Sequence, residues 1–544
     1  MEEPKTLPQE IILLLCQELA TRCDFGTLFN CALVSRRVAS IACEQMYSIH
    51  EQSSASMSIT PSDRCELWKS IILSSVEQTA FPYCTYLRTL SLGNLEECLY
   101  HERRFFIDNL QQFVVQATAR PSLDIQATVI KCADSIMAYI RKFADDTEKA
   151  VALAHLEGLY IPYDILPTWI TRLSLLTSLR IQDGSVLGVE AAKAISECCP
   201  NFTDLTCYYY QSSSADEDLG AFFRTLRSNT LRSFSVNSSN GIGKNALMGL
   251  NSHATSLRNL ELGSLGIQAM KALYSLADCT ALETLKIEND RFSRVDLRTY
   301  DEEILKGIIT WISNCKSLKQ LSFRHVVNAL PIVAEVLKSP GIRLTRLYMV
   351  DFGSEDEADD HAEDLAAWTA LGSQDLIDDL TLGLQSGLID DFRIHEIPTL
   401  VDSICQLKNL RTLNLTQAHI TAAEVQRFAK ALPKLFDFSF NGEMVGDAVL
   451  EHLSNLPQLT ALSITNLSAF TYDGLFRFCD KLNDQGNRGL RMDILNQLGK
   501  AKQLEPQVMR LQAYFRKTIN GQITIAFYND PDELHEGDFS DDSD

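Results

Sequence analysis

Along the 544 residues a six-residue pattern, apolar-x-x-apolar-x-apolar, recurs thirteen times, beginning at Leu87, Leu156, Leu176, Phe202, Leu231, Leu257, Leu282, Leu318, Leu344, Ile377, Leu410, Leu435 and Leu459. The second half of each hexad alternates with period two and predicts a short strand with its apolar side chains on one face. Between hexads the period lengthens. Ile267, Met270, Leu273, Leu276 and Ala277 in one unit, and Val425, Phe428, Ala429 and Leu432 in another, are spaced as on one side of a helix. Each unit therefore reads as a strand followed by a helix. One such unit cannot bury its apolar face alone, so neighbours must stack. Strands pack ~4.8 Å apart and helices ~10 Å apart, and this mismatch predicts an arc with the strands on its concave side.

Two stretches interrupt the array. From 102 to 154, Phe105, Ile107, Leu110, Phe113 and Val114, then Ile130, Ala133, Ile136, Met137 and Ile140, predict helices on either side of a break near Pro121. Before the first hexad, Leu7–Tyr47 reads as three short apolar helices. Thr6 is placed to cap the first, with Pro8 in its first turn and Gln9 at the capping-box position. Asp24 or Thr27 starts the second and Ser35 the third. Ile11, Leu14, Leu15 and Leu19 form an apolar stripe on the first helix. Three helices in about forty residues make too small a core to stand alone, and so require a partner surface. The segment GQITIAFY from Gly521 predicts a last strand that closes the array. The resulting division is 1–50, a helical module; 51–101, a linker and first repeat; 102–154, a helical insertion; 155–528, the solenoid with its cap; and 529–544, an acidic tail expected to be disordered.

From Leu87 to Ser468 the chain resembles leucine-rich repeats, whose period the unit lengths bracket. The resemblance implies an α/β horseshoe solenoid. The Asn that usually stands three positions after the hexad is missing from nearly every unit, which predicts an irregular solenoid whose turns are satisfied by other groups. The first fifty residues resemble an F-box: Leu7, Pro8, Glu10 and Ile11, then Leu33, Val34, Ser35 and Arg36, and finally Ile41 and Tyr47 match its pattern. Val38 stands where that family often has Trp or Phe. This resemblance implies docking onto a Skp-type adaptor and, through it, a cullin-RING ubiquitin ligase, with the repeats holding a protein substrate. The adaptor-binding candidates are Leu7, Pro8, Ile11, Leu14, Leu15, Leu28, Leu33, Val34 and Ile41, some of which must be internal to the three helices. The rival reading is a leucine-rich-repeat scaffold or GTPase regulator in which the same residues merely cap the array.

The net charge of -22 argues against general nucleic-acid binding, which needs clustered Lys and Arg. The longest early apolar run, Ile11 to Cys16, is too short to cross a bilayer, and no signal-peptide pattern accompanies it, so no membrane association is expected. Fifteen cysteines without a C-x-x-C pair read as reduced thiols of a cytoplasmic or nuclear protein. No catalytic motif is complete: GIGK at Gly241 lacks the rest of a phosphate loop, and DFG at Asp351 directly follows a repeat strand. The histidines show no zinc-ligand spacing. Neither an enzyme nor a cofactor is expected.

Residues flanking the buried pair of each strand face the concave side. Among them Arg180, Tyr208, Lys286, Arg324, Arg346 and Tyr348 are the substrate-binding candidates, a basic and aromatic set suited to an acidic or phosphorylated peptide, while Glu261, Glu288 and Asp379 nearby leave open an ordinary solvated face of alternating charges. Asp351 to Asp364 contains eight acidic residues and no Lys or Arg, and the segment from Asp530 to Asp544 contains eight more. Both read as solvated, or as contacts for a basic partner, and Ser540 and Ser543 match an acid-directed kinase pattern.

Overall fold

The computed structural model describes residues 7–49, 61–117, 123–291, 296, 302–327, 329–352, 361–383, 394, 397–442, 445–496 and 501–527. Thr6, Pro121, most of the acidic insertion and the tail from 529 onward lie outside them. The chain forms two compact units, Met1–Asn259 and Leu260–Asp544.

The first unit opens with α1 (Gln9–Thr21), α2 (Phe25–Ala32), α3 (Arg36–Ile49) and α4 (Pro61–Ser74). The repeats then start with β1 (Thr89–Ser91), α5 (Leu92–His101), α6 (Arg103–Asn109) and α7 (Ile125–Thr147). They continue as β2 (His155–Gly158), α8 (Ile165–Ile170), β3 (Ser178–Asp183), α9 (Val189–Cys198), β4 (Asp204–Tyr209), α10 (Ala215–Thr225), β5 (Ser233–Val236) and α11 (Lys244–Leu250). Strands β1 to β5 pair in parallel, each with the next. β6 (Asn259–Leu265) starts at the boundary. The second unit carries β7 (Thr284–Asn289), β8 (Gln320–Arg324), β9 (Arg346–Val350), β10 (Asp379–Gly383), β11 (Thr412–His419), β12 (Asp437–Asn441), β13 (Ala461–Ser468), β14 (Arg491–Asn496) and β15 (Gln522–Phe527). From β7 onward these also pair in parallel in chain order. The fold is an α/β leucine-rich-repeat solenoid.

One hydrogen-bond pattern marks the start of nearly every repeat. The N–H groups of hexad positions two and three both donate to the position-two carbonyl of the preceding hexad. Thr203 and Asp204 donate to Thr177, and Arg232 and Ser233 donate to Thr203. The same pattern corrects one frame: Ala154 and His155 donate to Arg88, and Leu156 pairs with Leu90, so this hexad begins at Leu153 rather than Leu156. The cause is Gly158 at position six, where a Cβ would lie 2.4 Å from the Ile161 Cδ1. Ile161 fills from outside the space that a sixth-position side chain occupies elsewhere. β14 has no hexad in the sequence because its first position is Gly489, held at φ 82°, where the other units place a large apolar residue. Helix α4, within a span read as linker, buries Cys65, Trp68, Ile71 and Ile72.

The missing asparagines are replaced piecemeal. After β8 and β9 the left-handed turn residues His325 and Asp351 join, with His325 Nδ1 donating to Asp351 Oδ2 at 2.9 Å. Farther on, Ser468 Oγ donates to the Leu495 carbonyl and Asn496 Nδ2 to that of Phe470.

At the opposite end of the strands, buried side chains staple successive units. His253 Nε2 lies 3.1 Å from the Phe223 carbonyl, and the Leu231 N–H points at its Nδ1 from 3.4 Å. The Leu231 N–H requires an acceptor, so the ring is neutral with its proton on Nε2. Gln374 makes the same two bonds in its own repeat: its Nε2 donates to the Leu337 carbonyl and its Oε1 accepts from Leu344 N–H. Burial holds the His253 pKa below its ordinary value, against the opposing pull of the Phe223 carbonyl. The unfolded chain therefore takes up a proton near pH 6.5 that the folded chain refuses. The stabilisation is complete above that pH and is lost as pH falls toward the folded pKa. His253→Gln is expected to preserve both bonds while removing this loss. Its melting temperature relative to the natural protein should thus rise as pH falls from about 7.5 to about 5. A constant difference across that range would show that His253 does not titrate on unfolding.

Candidate functional site

The three N-terminal helices have a core of their own. Cys16, Ala20, Leu28, Ile41 and Ala42 are buried together, with Ile12, Leu13, Leu19, Phe25 and Met46 packed around them. Asp24, rather than Thr27, caps α2 by accepting from Thr27 N–H, and Ser35 Oγ accepts from Val38 N–H at the start of α3. Helix α1 begins after Pro8 without a side-chain cap.

The run Ile11 to Cys16 makes α1 apolar on all sides, and only one side is used. Ile12, Leu13 and Cys16 face the core, whereas Leu7, Pro8, Ile11, Leu14 and Leu15 face water. The turn between α2 and α3 adds Leu33 and Val34, which are 69% and 72% exposed, and Phe29 is also open. Arg37 Nη2 reaches Gln9 Oε1 at 3.5 Å, which brings this turn beside the start of α1. Of the nine adaptor-binding candidates, Leu28 and Ile41 are internal and the other seven form the open apolar set. Phe29 was missed by the sequence reading. Its signal was its place beside Leu28 on a helix whose core needs only one of the two. Isolated exposed apolar residues are ordinary, but eight within thirty residues of one small module form the kind of patch that another protein covers.

The substrate-binding candidates all lie on the open face of the strands, in two groups. In the first unit, Arg180 on β3 and Tyr208 on β4 are exposed. In the second, Lys286, Arg324, Arg346 and Tyr348 stand on β7, β8 and β9. Arg324 Nη2 donates to Tyr348 Oη at 2.8 Å, and its guanidinium lies 5.3 Å from that ring. Each cation of this second group also has a carboxylate neighbour. Lys286 is 2.7 Å from Glu261, Arg324 is 3.7 Å from Glu288, and Arg346 is 3.9 Å from Asp379. Half-burial pushes the Asp379 carboxyl above its ordinary pKa, with Arg346 pulling the other way. The face is a lattice of paired charges rather than a surplus of positive charge.

All fifteen cysteines are thiols rather than disulfides. Burial pushes the thiols of Cys84, Cys132, Cys199, Cys279, Cys315 and Cys479 up to about 12, which keeps them protonated and poorly nucleophilic. Among the described residues no group of three His, Cys, Asp or Glu is placed to hold a metal ion, and no helix is long and apolar enough to cross a membrane.

No family model matches the sequence, and no curated protein does. Among solved structures, the complex of Rad7 and Elc1 from yeast is similar at 15% identity, covering 67% of this chain and 92% of that one, with a TM-score of 0.37. The complex of TLR13 with ssRNA13 is similar at 14% identity, covering 65% of this chain and 44% of that one, with a TM-score of 0.30.

Proposed function

We propose that this chain is the substrate-recognition subunit of an SCF-type cullin-RING ubiquitin ligase. In this reading residues 7–49 are an F-box that docks a Skp-type adaptor, and the repeats hold a protein substrate in the cytoplasm or nucleus. The observation that carries it is the apolar face of α1 and the α2–α3 turn, open to water on a module that already has its own core. A helical cap that only sealed the end of the array would turn such a face inward. The Leu-Pro-x-Glu-Ile and Leu-Val-Ser-Arg segments that carry the F-box resemblance supply Leu7, Pro8, Ile11, Leu33 and Val34 to that face. The chain itself makes and breaks no bond. It raises the local concentration of a substrate lysine near the ubiquitin-charged enzyme held by other subunits.

The test compares the full chain with one lacking residues 1–49, each mixed with a purified Skp-type adaptor and followed by size-exclusion chromatography. The full chain is expected to co-elute with the adaptor, and the shortened chain to remain soluble and elute alone. Failure of the full chain to bind, together with aggregation of the shortened one, would favour the capped scaffold instead.

A further inference from the structure

From Leu219 to Leu260 the sequence contains five Lys or Arg and no Asp or Glu, in a chain whose net charge is -22. The fold gathers four of these cations at the end of the repeats where the strands begin. Arg224 is in the last turn of α10, Arg227 follows one turn later, and Arg232 and Arg258 occupy position two of successive hexads. Arg258 N–H donates to the Arg232 carbonyl, which sets these two side by side. Asn229 N–H donates to the Ser252 carbonyl, its Oδ1 accepts from Thr255 N–H, and Arg258 Nη1 donates to the Thr255 carbonyl. These bonds close the loop carrying Arg227 against the loop before β6.

Arg224, Arg227 and Arg232 are exposed, and among the described residues their guanidinium groups make no ion pair or hydrogen bond. This contrasts with the cations of β7 to β9, each of which has a carboxylate within reach. Acidic residues on the neighbouring elements at this end include Glu197, at the end of α9, and Asp204, on β4. Neither pairs with the three arginines.

We propose that this arginine rim binds an acidic peptide segment of a partner protein. A guanidinium presents a planar fork that matches carboxylate or phosphate oxygens, and unpaired exposed arginines hold that capacity in reserve. The strongly negative remainder of the chain disfavours a long polyanion such as nucleic acid, whereas a short acidic segment confined to the rim escapes that repulsion. The proposal rests on the reading of the repeats as the surface that holds a protein partner. It does not depend on adaptor docking.

The experiment uses the full chain without adaptor and fluorescence anisotropy with four probes. These are an Asp/Glu-rich peptide of about twelve residues, a peptide with phosphoserines in their place, a neutral serine peptide, and single-stranded DNA of similar charge. Both acidic peptides are expected to bind and to weaken by about tenfold as salt rises from about 50 to about 250 mM. Arg227→Glu with Arg232→Glu is expected to lose at least about tenfold for both, with the milder Arg227→Gln and Arg232→Gln pair between them and all melting temperatures unchanged. Tighter binding of the phosphoserine peptide would assign the charge to phosphate, and equal binding would assign it to carboxylates. Binding of the neutral peptide at the same strength, DNA bound more tightly than either acidic peptide, or no effect of the double Glu variant would overturn the proposal. Because no adaptor is present, peptide binding by a chain that fails to capture adaptor would leave the rim standing and the ligase reading fallen.

Discussion

Replacing Leu33 and Val34 together by Asp is expected to abolish capture of a Skp-type adaptor, by about 100-fold or more in affinity, while leaving the melting temperature essentially unchanged. Both side chains are exposed, so their charged replacements bury nothing in the free protein, and such surface changes typically shift stability by no more than about 0.5 kcal/mol. In a complex the same two carboxylates would lie under the partner, where each lost apolar anchor costs about 2 kcal/mol or more before any desolvation of charge. Leu28→Ala supplies the opposite pattern. That side chain is buried among Cys16, Ala20 and Ile41, and its truncation is expected to destabilise the module by about 2–5 kcal/mol without altering the face that meets the partner. Calorimetric titration with adaptor, beside thermal melts of each variant, separates the two. Adaptor binding undiminished in the double Asp variant would refute the docking surface, whatever the Leu28 variant does.

The contrast between Leu28 and Leu33 shows where the sequence becomes ambiguous. Both belong to a short apolar segment, and periodicity finds the segment but not which of its members turn inward. The same holds for α1, where six consecutive apolar residues satisfy a stripe in any direction, and only the packing of α2 and α3 selects Ile12, Leu13 and Cys16. The repeats were far more legible because a strand has two faces and a hexad fixes which is buried. The failures there have local causes: Gly158 lets Ile161 mimic a hexad three residues late, and Gly489 deprives β14 of its leading leucine. Helix α4 carried a readable signal in the spacing of Cys65, Trp68 and Ile72. For the open face of the sheet, the strand pattern gave the positions of Lys286 and Arg324 and put Glu261 and Glu288 near them, but not which cation each carboxylate meets, since those pairs form across strands whose register residue spacing does not specify.

Gly220→Ala tests how tightly successive repeats are stacked, and the expected sign is the reverse of the usual one. Inside a helix, Ala is ordinarily more favourable than Gly by about 1 kcal/mol. Gly220 sits in α10 against α11, and a Cβ there would lie 2.6 Å from the Asn245 carbonyl oxygen, a backbone atom that cannot rotate away. The approach is mutual, since a Cβ on Gly249 of α11 would lie 2.8 Å from the Gly220 carbonyl. The two helices are further locked by Asp216, in the first turn of α10, whose carboxylate accepts from Gly243, Asn245 and Ala246 N–H at the start of α11. Helix α11 has no N-cap side chain of its own, so separating the helices also strips its start of its acceptor. Gly220→Ala is therefore expected to destabilise the protein by about 1–3 kcal/mol, the usual cost of overpacking, and Gly220→Val by more. Because Arg224 lies in the last turn of α10 and Arg227 just beyond its C-cap, the same substitutions should weaken acidic-peptide binding even though they touch no arginine. Denaturant unfolding of the two variants reads the first effect and peptide anisotropy the second. A Gly220→Ala protein as stable as the natural one would mean that α10 and α11 stand farther apart than this geometry requires.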